Sequence, residues 1–455
     1  MSVEVVAPEV SVAPAAAEPW PKPAQAWYAI FIFALALMVD FLDRGIVGLL
    51  VRSIEQDLHL NDFQISLVTG FAYVSIYAIV GLPIARWADY GTRRNIVAAG
   101  VAVWSLMTAF CGLAQNFWQL FFCRVGVGVG EACNGPPVFS MISDLFPREK
   151  LPRAIAVLNF GFIAGTGLAA ILGGTVIRAL ANVREVRVPL IGALHPWQMT
   201  FIVVGLIGLV VALLMGTVKE PLRRGRYSGS AGHGTLPVRE IARFVVDNRG
   251  TYAPMFLGLG FNVVMAFGFS VWAAEFFRRT FAWAPADFAI TSGLITIIVA
   301  PVGAIFGSWL AERFYREGKN DANMRVVLLS FLFNAPGLFL LTLAPSAPIA
   351  FGIFAYTQFV AMWVPGPMNA ALQVVTPNEM RAQVTALFLF VFNIVGFGLG
   401  PSVVASITQY VFHDPAKLRY AIASVIAVLG PLGIASIWWG LKSYGRSVAK
   451  SSDWR

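Results

Sequence analysis

Twelve apolar runs, each about 20 residues or longer and so long enough to cross a bilayer as a helix, leave this chain few ways to fold. They fall at approximately 27–50, 63–85, 94–114, 117–142, 153–181, 198–217, 252–277, 288–311, 325–344, 348–375, 381–412 and 417–441. Inside hydrocarbon every backbone N–H and C=O must be satisfied within its own segment, so runs of this length imply an all-α integral membrane protein. Composition agrees: 58% of the residues are hydrophobic and only 13% charged, which no ordinary soluble domain shows. The longest break, 218–251, is basic and contains Tyr227-Ser-Gly-Ser-Ala-Gly-His-Gly234. It separates the runs six and six. The expected organisation is a disordered tail at 1–25, a six-helix bundle at 26–217, a linker at 218–251 with a short amphipathic helix near Val238 to Val246, a second six-helix bundle at 252–443, and a tail at 444–455. The first residues have no basic start leading into an apolar core, so a cleaved signal peptide is not expected.

An even number of spans puts both termini on one side, and Lys and Arg favour the cytoplasmic side. With the termini cytoplasmic, 23 of the 33 Lys and Arg lie on that side and 8 on the other, while Arg44 and Arg124 fall inside spans. The net charge of +9 is therefore spread as topology and anionic lipid require, and no nucleic-acid partner is implied. The halves also resemble each other. Gly135-Pro136, Phe146-Pro147-Arg148-Glu149 and Arg153-Ala154 in the first correspond to Gly366-Pro367, Thr376-Pro377-Asn378-Glu379 and Arg381-Ala382 in the second. Asn159 before Gly161, Gly165 and Gly167 corresponds to Asn393 before Gly396, Gly398 and Gly400. Paired six-helix repeats, with a site between them near mid-membrane, are the organisation of secondary transporters.

Charges inside such spans are costly and mark function by default. Arg124-Val-Gly-Val-Gly-Val-Gly-Glu131 places two on one helix face roughly 10 Å apart, with three glycines between them. The first span supplies Asp40, Asp43 and Arg44, with Asp40 and Arg44 four apart and able to pair. At 1.5 Å per residue, Asp43 and Arg44 lie outside their span's centre by roughly 7 Å, the same depth as Arg124, while Glu131 lies near the middle. Three acids face two arginines. A buried carboxyl left without a counter-charge tends to hold a proton, which makes a proton-coupled switch possible at Glu131 or Asp43. Arg124 is then the better candidate for anion binding or an outer ion pair.

The loop Ala85-Arg-Trp-Ala-Asp89-Tyr-Gly91-Thr-Arg93-Arg94 resembles the conserved cytoplasmic loop of the major facilitator superfamily, with Ala85 in place of the usual glycine and Tyr90 where arginine is common. A degenerate second copy, Gly307-Ser-Trp-Leu-Ala-Glu312-Arg313, follows the eighth span. The resemblance implies the facilitator fold of two pseudo-symmetric bundles, and a cytoplasmic gate at Asp89, Arg93, Arg94, Glu312 and Arg313, with Arg93 and Arg94 facing anionic headgroups. Asp43-Arg44, Phe117-Trp118, Arg124 through Glu131-Ala132, Asp144-Leu-Phe and the glycine-rich fifth span resemble more narrowly the Spinster family, in its bacterial form. Over roughly 40–175 the likeness is specific; beyond it Phe269-Ser-Val-Trp272 is the best match. It implies a lysophospholipid-like or sphingolipid-like substrate and a role for Asp43, Arg44, Arg124 and Glu131. The fifth span has the glycines of the superfamily's antiporter motif without its proline, so close helix packing accounts for most of that pattern.

Tyr73, Tyr77, Asn134, Trp272, Gln358, Trp363, Asn369 and Asn393 are candidates for lining the cavity, and Glu275 beside Arg278 and Arg279 for an extracellular gate. Cys111, Cys123 and Cys133 all sit in apolar segments and read as packing residues. His59, His195, His233 and His413 stand far apart, without metal-ligand spacing or a nucleophile motif, so neither an enzyme, nor a metal, nor a cofactor is implied. The expected protein is a monomeric, proton-coupled, alternating-access carrier in a bacterial inner membrane, its partners being membrane lipids, a proton and a small amphipathic substrate. The alternatives are a proton-coupled symporter of small organic anions, to whose carboxylates Arg44 and Arg124 would be equally suited, and a non-transporting receptor of the same fold.

Overall fold

The computed structural model describes residues 20–147, 150–180, 186–188, 192–223 and 238–451. In the first half the helices are α1 (Pro23–Leu58), α2 (Asp62–Ser66), α3 (Ala72–Tyr90), α4 (Arg93–Cys111), α5 (Phe117–Glu131), α6 (Gly135–Leu145), α7 (Leu151–Leu180) and α8 (Pro196–Thr217). The second half contains α10 (Arg249–Phe281), α11 (Pro285–Arg316), α12 (Ala322–Thr342), α13 (Ala347–Ala361), α14 (Pro365–Val374), α15 (Asn378–Asn393), α16 (Gly400–Ser406) and α17 (Leu418–Ser451), with α9 (Val238–Asp247) in the link between halves. Among the described residues nine helical stretches are long and apolar enough to cross a membrane, with a further apolar run at Gly165–Leu180. Large apolar side chains such as Leu213, Ile305 and Trp439 stay exposed around the bundle, as a lipid-facing surface requires.

Each expected run is helical over most of its described residues, and several of these helices are broken. Residues 117–142 divide into α5 and α6 where a proline occupies the first turn of the new helix, a position at which its missing N–H costs nothing. Residues 348–375 divide the same way, at Pro365. The break therefore recurs at matching places in the two halves, as the Gly-Pro correspondence predicts. Two π-turns that the sequence does not announce, Leu67–Phe71 and Ile394–Leu399, face each other across the halves. α1 begins inside the expected tail and α17 continues past residue 443, while α9 is the short helix expected in the linker. A two-stranded hairpin, Val186–Val188 against Gly192–Leu194, is an addition to the all-helical expectation, written in the alternation of Val186, Arg187 and Val188. Residues 1–19, Arg148 and Glu149 lie outside the described residues, as do the side chains of Arg153, Asn159, Pro136, Asn378, Glu379 and Ala382.

The halves touch most closely in the part of the bundle away from the chain termini, here the distal end. A Cβ on Gly167 would stand 2.6 Å from the Gly293 carbonyl, and one on Gly293 would stand 2.5 Å from that of Gly167. α7 and α11 therefore meet backbone to backbone. Gly48 would be 3.0 Å from the Val271 carbonyl, and Gly70 has no room for a side chain against Phe397. Hydrogen bonds from the Phe63 amide to Gln409 (3.2 Å) and from Ser66 to Ser402 (3.3 Å) cross the same seam. Gly167→Leu is expected to push this end apart, read as a longer distance between spin labels at Gln115 and Lys417.

Candidate functional site

The glycines of Arg124 to Glu131 seat α5 in a crowded corner. Gly128 leaves space for the Tyr73 carbonyl of α3, 2.5 Å from where a Cβ would stand, and Gly130 for the Trp104 amide and Gly100 carbonyl of α4, at 2.5 and 2.7 Å. Pressed this far in, α5 delivers Arg124 and Glu131 to the inner face of α1, where both are buried.

The five charges resolve into two groups. In the first, Arg124 Nη1 lies 2.7 Å from Asp43 Oδ2, and the Thr108 hydroxyl donates to Asp43 Oδ1 at 2.5 Å. Both side chains of this pair are 1% exposed and Asp43 has a donor on each oxygen. In the second, Arg44 Nη2 lies 2.7 Å from Glu131 Oε2 and donates to Asp40 Oδ2 at 3.1 Å, while its Nε–H points at Glu131 Oε2 over 3.0 Å. One guanidinium thus serves two buried carboxyls. The Asp40 and Glu131 carboxyls are within hydrogen-bonding reach of each other; Asp40 Oδ1 is in ion-pair contact with Arg44 Nε at 2.6 Å, and Glu131 Oε1 accepts no hydrogen bond. Two carboxyls can bond only through a proton, so the acid left over in the charge count belongs to this pair rather than to Asp43.

Arg44 is also the more open arginine, with 18% of its side chain exposed against 1% for Arg124. Its guanidinium carbon stands 4.8 Å from the Tyr73 ring centre, 5.5 Å from Phe41 and 5.6 Å from Phe397. Phe397 comes from the other half, so Arg44 sits on the boundary between halves in an aromatic frame that favours a cation. Tyr77 packs on Tyr73 with ring centres 5.7 Å apart, and the buried Tyr73 hydroxyl has no hydrogen-bond partner. The sequence marks Thr108 and Phe41 in no way, and it flags the region of Phe397 only through the flanking Gly396 and Gly398.

Other expected residues scatter. Asn134 is buried in the break between α5 and α6. Trp272 is fully buried and donates to the Pro401 carbonyl at 3.1 Å, so it packs α10 on α16 instead of lining a cavity in this state. Gln358 bonds Thr296 across helices, Trp363 packs among Phe306, Phe359 and Phe333, Asn393 turns back to the Leu389 carbonyl, and Asn369 is exposed.

Arg93 does not face headgroups as expected. It is 2% exposed and tied to Asp144 at 2.5 Å, Ser140 at 2.8 Å, Glu220 at 2.9 Å and the Pro221 carbonyl at 3.0 Å. Asp144 and Ser140 belong to α6, and Glu220 and Pro221 to the start of the linker just past α8, so the network fastens α4 to α6 and to the chain leaving α8, with no partner in the second bundle among the described residues. The Arg94 amide also bonds Glu220, at 2.7 Å, while the side chain of Asp89 lies outside the described residues. Glu312 and Arg313 pair with Arg316 and Glu317 on their own exposed helix face, both at 3.3 Å, and are not brought to the first half.

The Major Facilitator Superfamily model matches residues 33–401 of the 455. The chain belongs to this superfamily. It is accordingly a multi-pass membrane transporter and not an enzyme. It is 24% identical over 441 residues to an MFS-type efflux pump of Mycolicibacterium smegmatis, covering 94% of this chain and 96% of that one. It is 22% identical over 443 residues to a probable sphingolipid transporter, spinster homolog 2, of Arabidopsis thaliana, covering 90% and 85%. Among solved structures, a bacterial homologue of the human lysosomal transporter Spinster, in an inward-facing and unoccupied conformation, superposes with a TM-score of 0.75. That likeness covers 96% of this chain and 99% of that one at 23% identity, and it establishes the superfamily fold.

Proposed function

We propose that this chain is a secondary active transporter working by alternating access, coupled to protons, whose substrate is an amphipathic anionic or zwitterionic lipid of the lysophospholipid or sphingolipid type. The observation that carries this is the shared guanidinium: Arg44, partly open and on the boundary between halves, is held by two carboxyls that need a proton between them. An anionic headgroup arriving at Arg44 would compete with Glu131 for the same donors. Protonating Glu131 would release the arginine to the headgroup, and such competition produces exchange. The surrounding aromatic rings suit an apolar chain next to the charge, and resemblance to the plant transporter supports a lipid. Twelve spans, both termini cytoplasmic, and a monomer in a bacterial inner membrane complete the proposal. In this orientation the distal end faces outward and is the closed one.

Similarity to the mycobacterial efflux pump over nearly the whole chain favours a second reading, export of hydrophobic compounds of broader type. Purified protein in liposomes under an imposed pH gradient separates the possibilities. Saturable movement of lysolipids, competed by sphingoid phosphates, is expected. Uptake of small carboxylates without any response to lysolipids would favour an organic-anion symporter.

A further inference from the structure

A second group of buried charges closes the distal end, and it is assembled from both halves. Arg279 of α10 forms two hydrogen bonds with Asp62 of α2, both 3.0 Å, and lies 2.5 Å from Glu275 on its own helix. It also donates to the Pro415 carbonyl at 2.9 Å. Arg278 donates to Glu275 at 2.7 Å. Behind them, Glu55 near the end of α1 lies 3.6 Å from Arg279 and within hydrogen-bonding reach of Asp62. The Glu55 side chain is 9% exposed, and its Oε1 accepts no hydrogen bond. The group borders a cavity of about 640 Å³ whose rim adds Arg52 and Gln56 from α1 and His413 and Asp414 from the segment before α17. Asp57, on another face of α1, is occupied by Trp197 and His195.

Three carboxyls, Glu55, Asp62 and Glu275, therefore meet two guanidiniums, Arg278 and Arg279. Two carboxyls within hydrogen-bonding reach of each other can bond only through a proton, and one proton also balances the count, while Glu55 Oε1, 3.6 Å from Arg279, takes no hydrogen bond from it. We infer that Glu55 and Asp62, closed over by Arg279 and Glu275 of the opposite half, form a second proton-binding site whose occupancy is linked to closure of the distal end. This rests on the alternating-access reading but is separate from the Arg44 site.

Closing withdraws Glu55 from water beside Asp62. Burial first, and then the Asp62 carboxyl, raise Glu55 to about 9 against the opposing pull of Arg279. When the halves part, Glu55 returns to water, where a glutamate titrates near 4.3. A value raised on closing means that the closed state gains stability as pH falls. The gain is complete below the open-state value and lost as pH rises through about 9. Between these limits, opening releases one proton, and the closed-to-open ratio changes by up to about tenfold per pH unit.

The test uses full-length protein carrying Glu131→Gln, so that no proton is shared between two central carboxyls and any titration left there belongs to Asp40, which is present in every variant compared. Nitroxides are introduced at Gln115 and Lys417 through unnatural residues, leaving the three cysteines untouched, and their separation is followed by pulsed EPR from pH 5 to 10. The closed population is expected to fall as pH rises. Adding Glu55→Gln should flatten that dependence with the end held closed. Adding Asp62→Asn balances the charges without a proton, and should move the transition down by a pH unit or more. A transition that survives Glu55→Gln unchanged overturns the outer proton site alone. A single distance at every pH in the Glu131→Gln protein overturns it too, and the same result with substrate added would sink alternating access as well.

Discussion

Replacing Glu131 with glutamine is expected to abolish accumulation driven by a pH gradient in proteoliposomes, while exchange of internal for external lysolipid continues. Glutamine keeps the shape of a protonated glutamate and cannot change its charge. Arg44 would retain Asp40 as its one ionised partner, and the variant would behave as the proton-loaded transporter at every pH. Freed from one of two charge-assisted contacts, Arg44 should bind an anionic headgroup about tenfold more tightly, since such contacts are worth roughly 1.5–3 kcal/mol each and 1.4 kcal/mol is a factor of ten. Binding of a fluorescent lysolipid and flux are measured on the same preparation. Flux that still follows the pH gradient would remove Glu131 from coupling. Tighter binding without loss of coupling would assign the proton to Asp40.

Much of this site was legible because helix geometry turns spacing into position. Asp40 and Arg44, four apart, pair as one helix face requires, and matching depths bring Asp43 to Arg124 across two helices. What spacing cannot provide is azimuth: how far α5 is rotated and pressed against α1 is decided by Gly128 and Gly130 meeting Tyr73, Trp104 and Gly100. That rotation gives Glu131 to Arg44, leaves Arg124 to Asp43, and so decides which carboxyl is left over. The contribution of Phe397 was hidden for a similar reason. A π-turn adds a residue to one turn of helix and shifts every side chain after it, and neither Leu67–Phe71 nor Ile394–Leu399 has a proline to announce it.

Arg93 shows the opposite difficulty. A basic pair in a polar loop reads as headgroup contact, but its acceptors, Asp144 and Glu220, lie 51 and 127 residues away in sequence. The repeat was easier to see than the ion pairs that join its two halves. Its glycines and prolines leave a local mark in each half, whereas Asp62 and Arg279 become partners only when the halves meet.

Arg124→Ala is expected to destabilise the protein by about 3–5 kcal/mol, the usual result of leaving one member of a buried ion pair uncompensated. Asp43 would keep only the Thr108 hydroxyl as a donor, in a site 1% exposed, and thermal unfolding in detergent should shift down by several degrees. Removing both charges while keeping the volume, as Asp43→Leu with Arg124→Met, should recover most of that loss, because well-packed apolar replacements of buried pairs are often neutral or better. The double variant also separates two roles for Arg124. If the arginine only positions α1 against α5, so that Arg44 and Glu131 stay in register, transport should return with stability. If Arg124 meets the substrate when the halves rearrange, stability would return and transport would not. The two hydrogen-bonded oxygens of Asp43 and the near-complete burial of Arg124 favour the first outcome, which is the one the proposed binding of a headgroup at Arg44 requires.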